Sequence, residues 1–196
     1  EYLKTNVDIS QLSNFKTKAY TKYYYEINDI WDLDNLSNIY NFCILNDLWF
    51  LIVWGWTNLL FAFDEFNWVI VKNNLEFFNY NETTKILEVW TSNSIREVSQ
   101  KLEDVFNNDL WHRFIWLPGS IWWAVFWNAW CFWLEVENNF LSAEILCLKT
   151  WKIKTFFKDD LEWKKDEFYC TSHWKAGKAE KNPLEECNEK IEQEHL

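Results

Sequence analysis

Trp116-Leu117-Pro118-Gly119-Ser120-Ile121-Trp122-Trp123-Ala124-Val125-Phe126-Trp127-Asn128-Ala129-Trp130-Cys131-Phe132-Trp133 is the stretch on which the reading of this chain turns. Pro118-Gly119 signals a turn, with Pro118 presetting its backbone. Ser120 and Ala124 are small, as befits a backbone that approaches a partner closely. The tryptophans between them contradict that design. Six of them stand in one stretch that otherwise reads as a tight, small-residue loop entering a helix.

The same contradiction runs through the whole chain of 196 residues, which holds 16 Trp and only 3 Gly. Globular proteins average about 7% Gly, and Trp is ordinarily rare. Glycine and tryptophan taken together match an ordinary glycine content, so the anomaly lies in the split between them. Trp90 follows Ile86-Leu87-Glu88-Val89, where a strand should end. Trp151 sits between Leu148-Lys149-Thr150 and Lys152-Ile153, which read as two strands about a tight turn that wants positive φ. Trp49 follows Asn46-Asp47-Leu48, where a helix should stop and Gly is common. We therefore expect that most of these tryptophans stand where the organism inserts glycine. UGA is read as Trp in some genetic codes and as Gly in a few bacterial lineages. The richness in Asn, Lys and Phe fits the AT-rich genomes in which such reassignment occurs.

A second stretch supports this reading. Leu51-Ile52-Val53-Trp54-Gly55-Trp56-Thr57-Asn58-Leu59-Leu60 becomes, with Gly at 54 and 56, a strand that runs into three glycines and Thr-Asn. Such a loop brings backbone N–H groups close to a pyrophosphate, and the Thr hydroxyl and Asn amide add neutral hydrogen bonds. A tight turn without a ligand would look the same from this stretch alone. With glycine for tryptophan, the stretch from 116 becomes G-L-P-G-S-I-G-G-A-V-F-G-N-A-G-C-F-G. Small residues at 119, 120, 123, 124 and 127 would then let a helix start lie flat against a planar ligand.

In this form the long stretch resembles the hallmark of the UDP-N-acetylenolpyruvoylglucosamine reductase family. The stretch at 54–60 is similar to that family's other flavin motif, at the right distance upstream. The resemblance covers about residues 10–172. It implies an α+β fold of the vanillyl-alcohol-oxidase (PCMH) type, in which FAD lies between two subdomains, here 1–60 (β-α-β) and 61–172. Residues 173–196 form a polar tail unlike the family. The resemblance implies FAD contacts from Trp54, Gly55, Trp56, Thr57, Asn58 and Leu59 on one side. On the other it implies Pro118, Gly119, Ser120, Trp122, Trp123, Ala124, Asn128 and Ala129. It also implies NADPH as co-substrate and reduction of UDP-N-acetylglucosamine enolpyruvate to UDP-N-acetylmuramate, a cytoplasmic step of peptidoglycan synthesis. The flavin would carry the hydride, and the protein would orient the reactants.

Three departures bear on activity. The family's Tyr-Arg-x-Ser motif is best matched by Tyr169-Cys170-Thr171-Ser172, with Cys170 in the Arg position. A thiol cannot supply the guanidinium fork that binds and polarises substrate. The proton-donating Ser and the later Glu of the family belong to a C-terminal substrate domain, for which the chain is too short. The tail after Ser172 has no counterpart. The expectation is an incomplete fragment without turnover. The chain begins at Glu1 and contains no Met, so its true start is expected to be missing.

The rest of the chain reads as alternating elements. Lys18–Ile27 is an aromatic, β-branched strand, Asp32–Leu45 has helical spacing, and Phe50–Val53 is a short buried strand. Val69–Val71, Leu75–Phe78 and Lys85–Val89 read as strands, with turns at Asn73-Asn74 and Asn79-Tyr80-Asn81. Ser94 caps a helix from Ile95 to about Asn107, with Glu97 at its third position. Phe140–Leu148 and Lys152–Phe157 read as antiparallel strands.

Composition narrows the alternatives. A net charge of −11 disfavours nucleic acid as a partner, because phosphate binding needs clustered cations. The N-terminus does not read as a secretory signal, which fits the cytoplasm. Cys43, Cys131 and Cys147 lie in apolar surroundings and read as buried reduced thiols. No His/Cys/Asp cluster suggests a metal. His112 and Arg113 could reach a phosphate or flavin edge, but residues so placed more often cap or solvate a loop; His173 is equally ambiguous. Taken literally, Ile115–Leu134 and Phe42–Phe63 are long and apolar enough to suggest a Trp-rich membrane protein. Pro118, Gly119 and Asn128 in the first, and Asn46, Asp47 and Asn58 in the second, argue against this. Another FAD-dependent oxidoreductase of the wider fold, or a non-catalytic remnant, are the remaining alternatives.

Overall fold

The computed structural model describes residues 2–54 and 59–161. The chain divides into two compact units, Glu1–Leu141 and Ser142–Leu196. In the first, a four-stranded sheet is built from β1 (Lys4–Asp8), β2 (Tyr20–Ile27), β3 (Trp49–Trp54) and β4 (Glu65–Asn73), in the order β1-β2-β4-β3. β1 pairs antiparallel with β2, while β4 runs parallel to both β2 and β3. Val69, Ile70 and Val71 are fully buried at the centre of β4, as expected for an inner parallel strand covered on both faces. β4 is the strand that joins β2 to β3.

Between β2 and β3 comes α1 (Asp34–Leu45), entered through a 3-10 turn at Ile30–Leu33. The Asp32 carboxylate holds this entry by accepting from the N–H groups of Asn28 and Asp29 at 2.8 and 2.9 Å. α1 buries Leu36, Ile39 and Cys43. Its end differs from the expectation at Trp49. The left-handed residue is Asp47 (φ 51°), where Asp47 N–H bonds to Ile44 O and Leu48 N–H to Cys43 O. These paired bonds close the last carbonyls of the helix. Trp49 is already in β3, opposite Trp68 of β4 and stacked on it at 5.7 Å.

After β4, β5 (Phe78–Asn81) and β6 (Ile86–Val89) form an antiparallel hairpin. Asn79–Asn81, expected as a turn, is strand, and Leu75–Phe77, expected as strand, is not. The turn lies at 82–85 because Asn81 Oδ1 accepts from the N–H groups of Thr83 and Thr84, and Lys85 takes φ 60°. α2 (Ile95–Phe106) starts where expected, with Ser94 Oγ accepting from Glu97 N–H at 3.3 Å. It ends on Asn107 in the left-handed region (φ 48°). A short α3 (Ile121–Phe126) is followed by a small hairpin of β7 (Trp130–Cys131) and β8 (Leu134–Glu135). Ile95, Val98, Phe114, Ile121, Ala124, Ala129 and Val136 form one buried cluster joining α2 and α3, against which Cys131 and Leu134 of this hairpin pack. A separate cluster of Ile9, Ala19, Tyr24, Val53, Phe61 and Ile70 lies at the four-stranded sheet.

In the second unit, β9 (Ser142–Cys147) and β10 (Lys152–Phe157) pair antiparallel, close to the strands expected there. Trp151 closes the turn with φ 57° and its N–H on Cys147 O at 2.8 Å. No helix among the described residues is long and apolar enough to cross a membrane. The apolar run Ile115–Leu134 is divided among a 3-10 turn, the six-residue α3 and the β7–β8 hairpin.

Candidate functional site

The two stretches singled out in the sequence meet at their edges. β3 carries Val53, fully buried, and then Trp54. Trp54 stacks on Trp122 of α3, with ring centroids 5.0 Å apart and planes 24° off parallel. Trp122 in turn lies 5.4 Å from Phe126, and Phe126 meets Trp127 edge-on at 5.0 Å. The indole N–H of Trp54 is buried and has no hydrogen-bond partner among the described residues, a cost of about 1–3 kcal/mol. Gly55, Trp56, Thr57 and Asn58 lie outside the described residues, as do Cys170 and His173.

The Leu59 carbonyl accepts from Ser13 Oγ. Thr17 Oγ1 donates to Phe61 O at 3.0 Å. Ser13 and Thr17 thus hold the downstream arm of the first stretch from the segment before β2. Nothing local in the sequence signals these contacts, which join positions far apart along the chain.

The start of α3 is bound into the protein rather than open. Ile121 N–H bonds to Asn93 O at 2.8 Å, Trp122 N–H to Thr91 O at 2.9 Å, and Trp123 N–H to Ser120 Oγ at 3.2 Å. The three leading N–H donors of the helix are therefore satisfied internally. Ser120, buried, is its cap, and a ligand phosphate would have to compete with these bonds. Gly119 adopts φ +135°, which L-residues rarely take, and a Cβ there would stand 3.1 Å from the Trp123 ring. Pro118 is exposed beside it. Ala124 and Ala129 are buried in the cluster with Phe114 and Ile121.

Asn128 ends α3 in the left-handed region (φ 45°). Asn128 N–H bonds to Val125 O at 3.1 Å and Ala129 N–H to Ala124 O at 2.7 Å, the paired bonds of a Schellman stop. Its side chain is also engaged. Nδ2 donates to Glu135 Oε2 at 2.9 Å, and Oδ1 accepts from Glu137 N–H at 2.8 Å. Phe132 and Trp133 form the two-residue turn between β7 and β8, with φ 47° and 69°. Two successive positive φ values define the type I′ hairpin turn, whose second position favours Gly.

The titratable groups nearby do not form a reactive constellation. His112 Nδ1 lies 2.7 Å from Glu103 Oε2 of α2 in an exposed pair, so it serves the surface. Arg113 is exposed, and its charge opposes the rise that burial causes in the Cys131 thiol. Burial pushes the Cys43 thiol up to about 11. At Cys147 burial also acts upward, but hydrogen bonds from Thr150 and Lys149 outweigh it and lower the thiol. Only Cys43 of these three is fully buried; Cys131 and Cys147 are half-buried. No group of three or more His, Cys, Asp or Glu side chains among the described residues could hold a metal ion.

Two clefts lie among other described residues. A cleft of about 460 Å³ is lined by Thr5, Tyr20, Lys22, Glu65 and Phe66, and one of about 300 Å³ by Phe77, Phe78, Asn93 and Lys101. Neither is lined by Trp54 or Trp122. No protein-family model matches this chain. No curated protein matches it.

Proposed function

We propose that this chain derives from the FAD-binding part of a UDP-N-acetylenolpyruvoylglucosamine reductase, a cytoplasmic NADPH-dependent enzyme of peptidoglycan precursor synthesis. The fold would be the two-subdomain, vanillyl-alcohol-oxidase type. The observation that carries the reading is the contact between Trp54 and Trp122. It joins the two stretches that resemble the family's flavin motifs, at the positions where the motifs have glycine.

The residues as they stand do not fit the flavin. The two indoles stack on each other between the stretches, and the Trp54 N–H has no partner among the described residues; on the flavin reading they would stand in the way of a planar ring. The leading N–H groups of α3 are already bonded. With glycine at 54, 56, 116, 122, 123, 127, 130 and 133, the first stretch would offer backbone donors and the second a flat small-residue face.

The test is to produce the chain with those eight glycines and purify it. Yellow protein with flavin absorbance is expected. Colourless protein that cannot be reconstituted with FAD would remove the proposal. No NADPH-dependent reduction of the enolpyruvyl substrate is expected from the purified chain, since on this resemblance the family's substrate domain would be missing and Cys170 would stand in the position of its Arg.

A further inference from the structure

We infer that Asn128 is a positioning residue of the second stretch rather than a contact to the cofactor. Both ends of its amide are spent inside the protein, on Glu135 Oε2 and on the N–H of Glu137. The backbone around it closes α3, and Val136 N–H bonds to Ala129 O at 3.2 Å. Asn128 thereby ties the end of α3 to β8 and to the turn Val136–Asn138 that follows. Asparagine suits this place on two counts. It tolerates the left-handed backbone, and one side chain supplies a donor and an acceptor in opposite directions. The pair fixes the orientation of α3, whose other end presents Trp122 to Trp54. The link from this pair to a cofactor rests on the flavin reading; the pair itself does not.

Exchange of the donor for a second acceptor isolates the contact. In Asn128→Asp the acceptor toward Glu137 N–H is kept and the backbone preference is little changed. Two carboxylates would then share a contact of 2.9 Å. Like charges so close cannot both ionise without cost, so one takes up a proton as pH falls. The charged or titratable groups of the elements that flank it are His112 and Arg113 on the preceding 3-10 turn, Cys131 on β7 and Glu137 after β8. They are common to every variant and cancel in the comparison.

Thermal unfolding of the full chain, Asn128→Asp, Glu135→Gln and the double variant is measured at pH 7.5 and pH 4.5, without flavin. Asn128→Asp is expected to lose about 3–6 °C at pH 7.5 and less than half of that at pH 4.5. The double variant, in which the amide donor has moved to position 135, recovers more than half of the loss at pH 7.5. A loss that is equal at both pH values, no loss at all, or a double variant as low as the sum of the singles would overturn the inference. Failure of flavin binding would leave these melts unchanged, so the two readings fail separately.

Discussion

The indole of Trp54 at the end of β3 lies stacked on that of Trp122 in α3, 5.0 Å between centroids. A strand end and a helix start meet there, far apart in sequence and both written in a motif that reads better with glycine. The stack buries aromatic surface but orphans an indole N–H. A well-matched pair would have found that donor an acceptor.

Backbone geometry separates tryptophans that fit their places from those that do not. Trp133 and Trp151 take φ 69° and 57°, and Trp133 is 86% exposed. A left-handed L-residue costs roughly 1–2 kcal/mol, so Trp133→Gly and Trp151→Gly should each stabilise by about 1 kcal/mol in urea unfolding. Trp111, edge-on to buried Phe114 at 5.5 Å, should instead cost about 2–4 kcal/mol when replaced by Gly. Stabilisation by Trp111→Gly, or loss by Trp133→Gly, would contradict this ordering. The gene should carry UGA at 133 and 151; UGG there would end the recoding hypothesis.

Gly119 is constrained where the second stretch turns into α3. Its φ of +135° opposes a side chain, and so does the Trp123 ring, which a Cβ at this position would approach to 3.1 Å. Gly119→Ala should lose about 2 kcal/mol in the same measurement. A change within about 0.5 kcal/mol would show that the turn relaxes freely.

Asp32 links the entry of α1 to pH. Hydrogen bonds from the backbone of Asn28 and Asp29 hold its carboxyl below the ordinary range. A depressed folded value adds stability that is present above the unfolded pKa of about 3.9 and is lost as pH falls through the folded value. Asp32→Asn should therefore melt lower than the parent at pH 7, with the gap closing below pH 4. A gap constant from pH 7 to pH 3 would refute this assignment.

The cysteines should react in an order set by their surroundings. Cys43, buried and pushed up to about 11, should resist alkylation by iodoacetamide at pH 8. Cys147, half-buried and lowered by Thr150 and Lys149, should react first of the three described thiols. Peptide mapping by mass spectrometry reads the order, and faster labelling of Cys43 would reverse it.

Elements marked by local chemistry were legible in the sequence. The Ser94 cap announced α2, the aromatic β-branched run marked β2, and the demand for positive φ at Trp151 was met at 57°. Those set by competition between neighbours were not. Asp47 rather than a residue at 49 stops α1, because it stands where the last carbonyls of the helix need donors. Asn81 drew the hairpin turn downstream by accepting two backbone N–H groups. At the candidate site, the tight turn at Pro118-Gly119 was readable, whereas Ala124 packs into the buried cluster rather than facing a ligand. The engagement of Asn128 with Glu135, and the satisfied donors of α3, depend on tertiary contacts that no motif spells out.

The most direct measurement is FAD affinity with the stack removed. Fluorescence-quenching titrations of FAD would compare the parent chain with Trp54→Gly, Trp122→Gly and the double variant. The parent should not bind measurably, the single variants weakly, and the double variant at least tenfold more tightly than either single one. Equal and negligible binding by all four, with the double variant shown to be folded, would contradict a flavin site between β3 and α3.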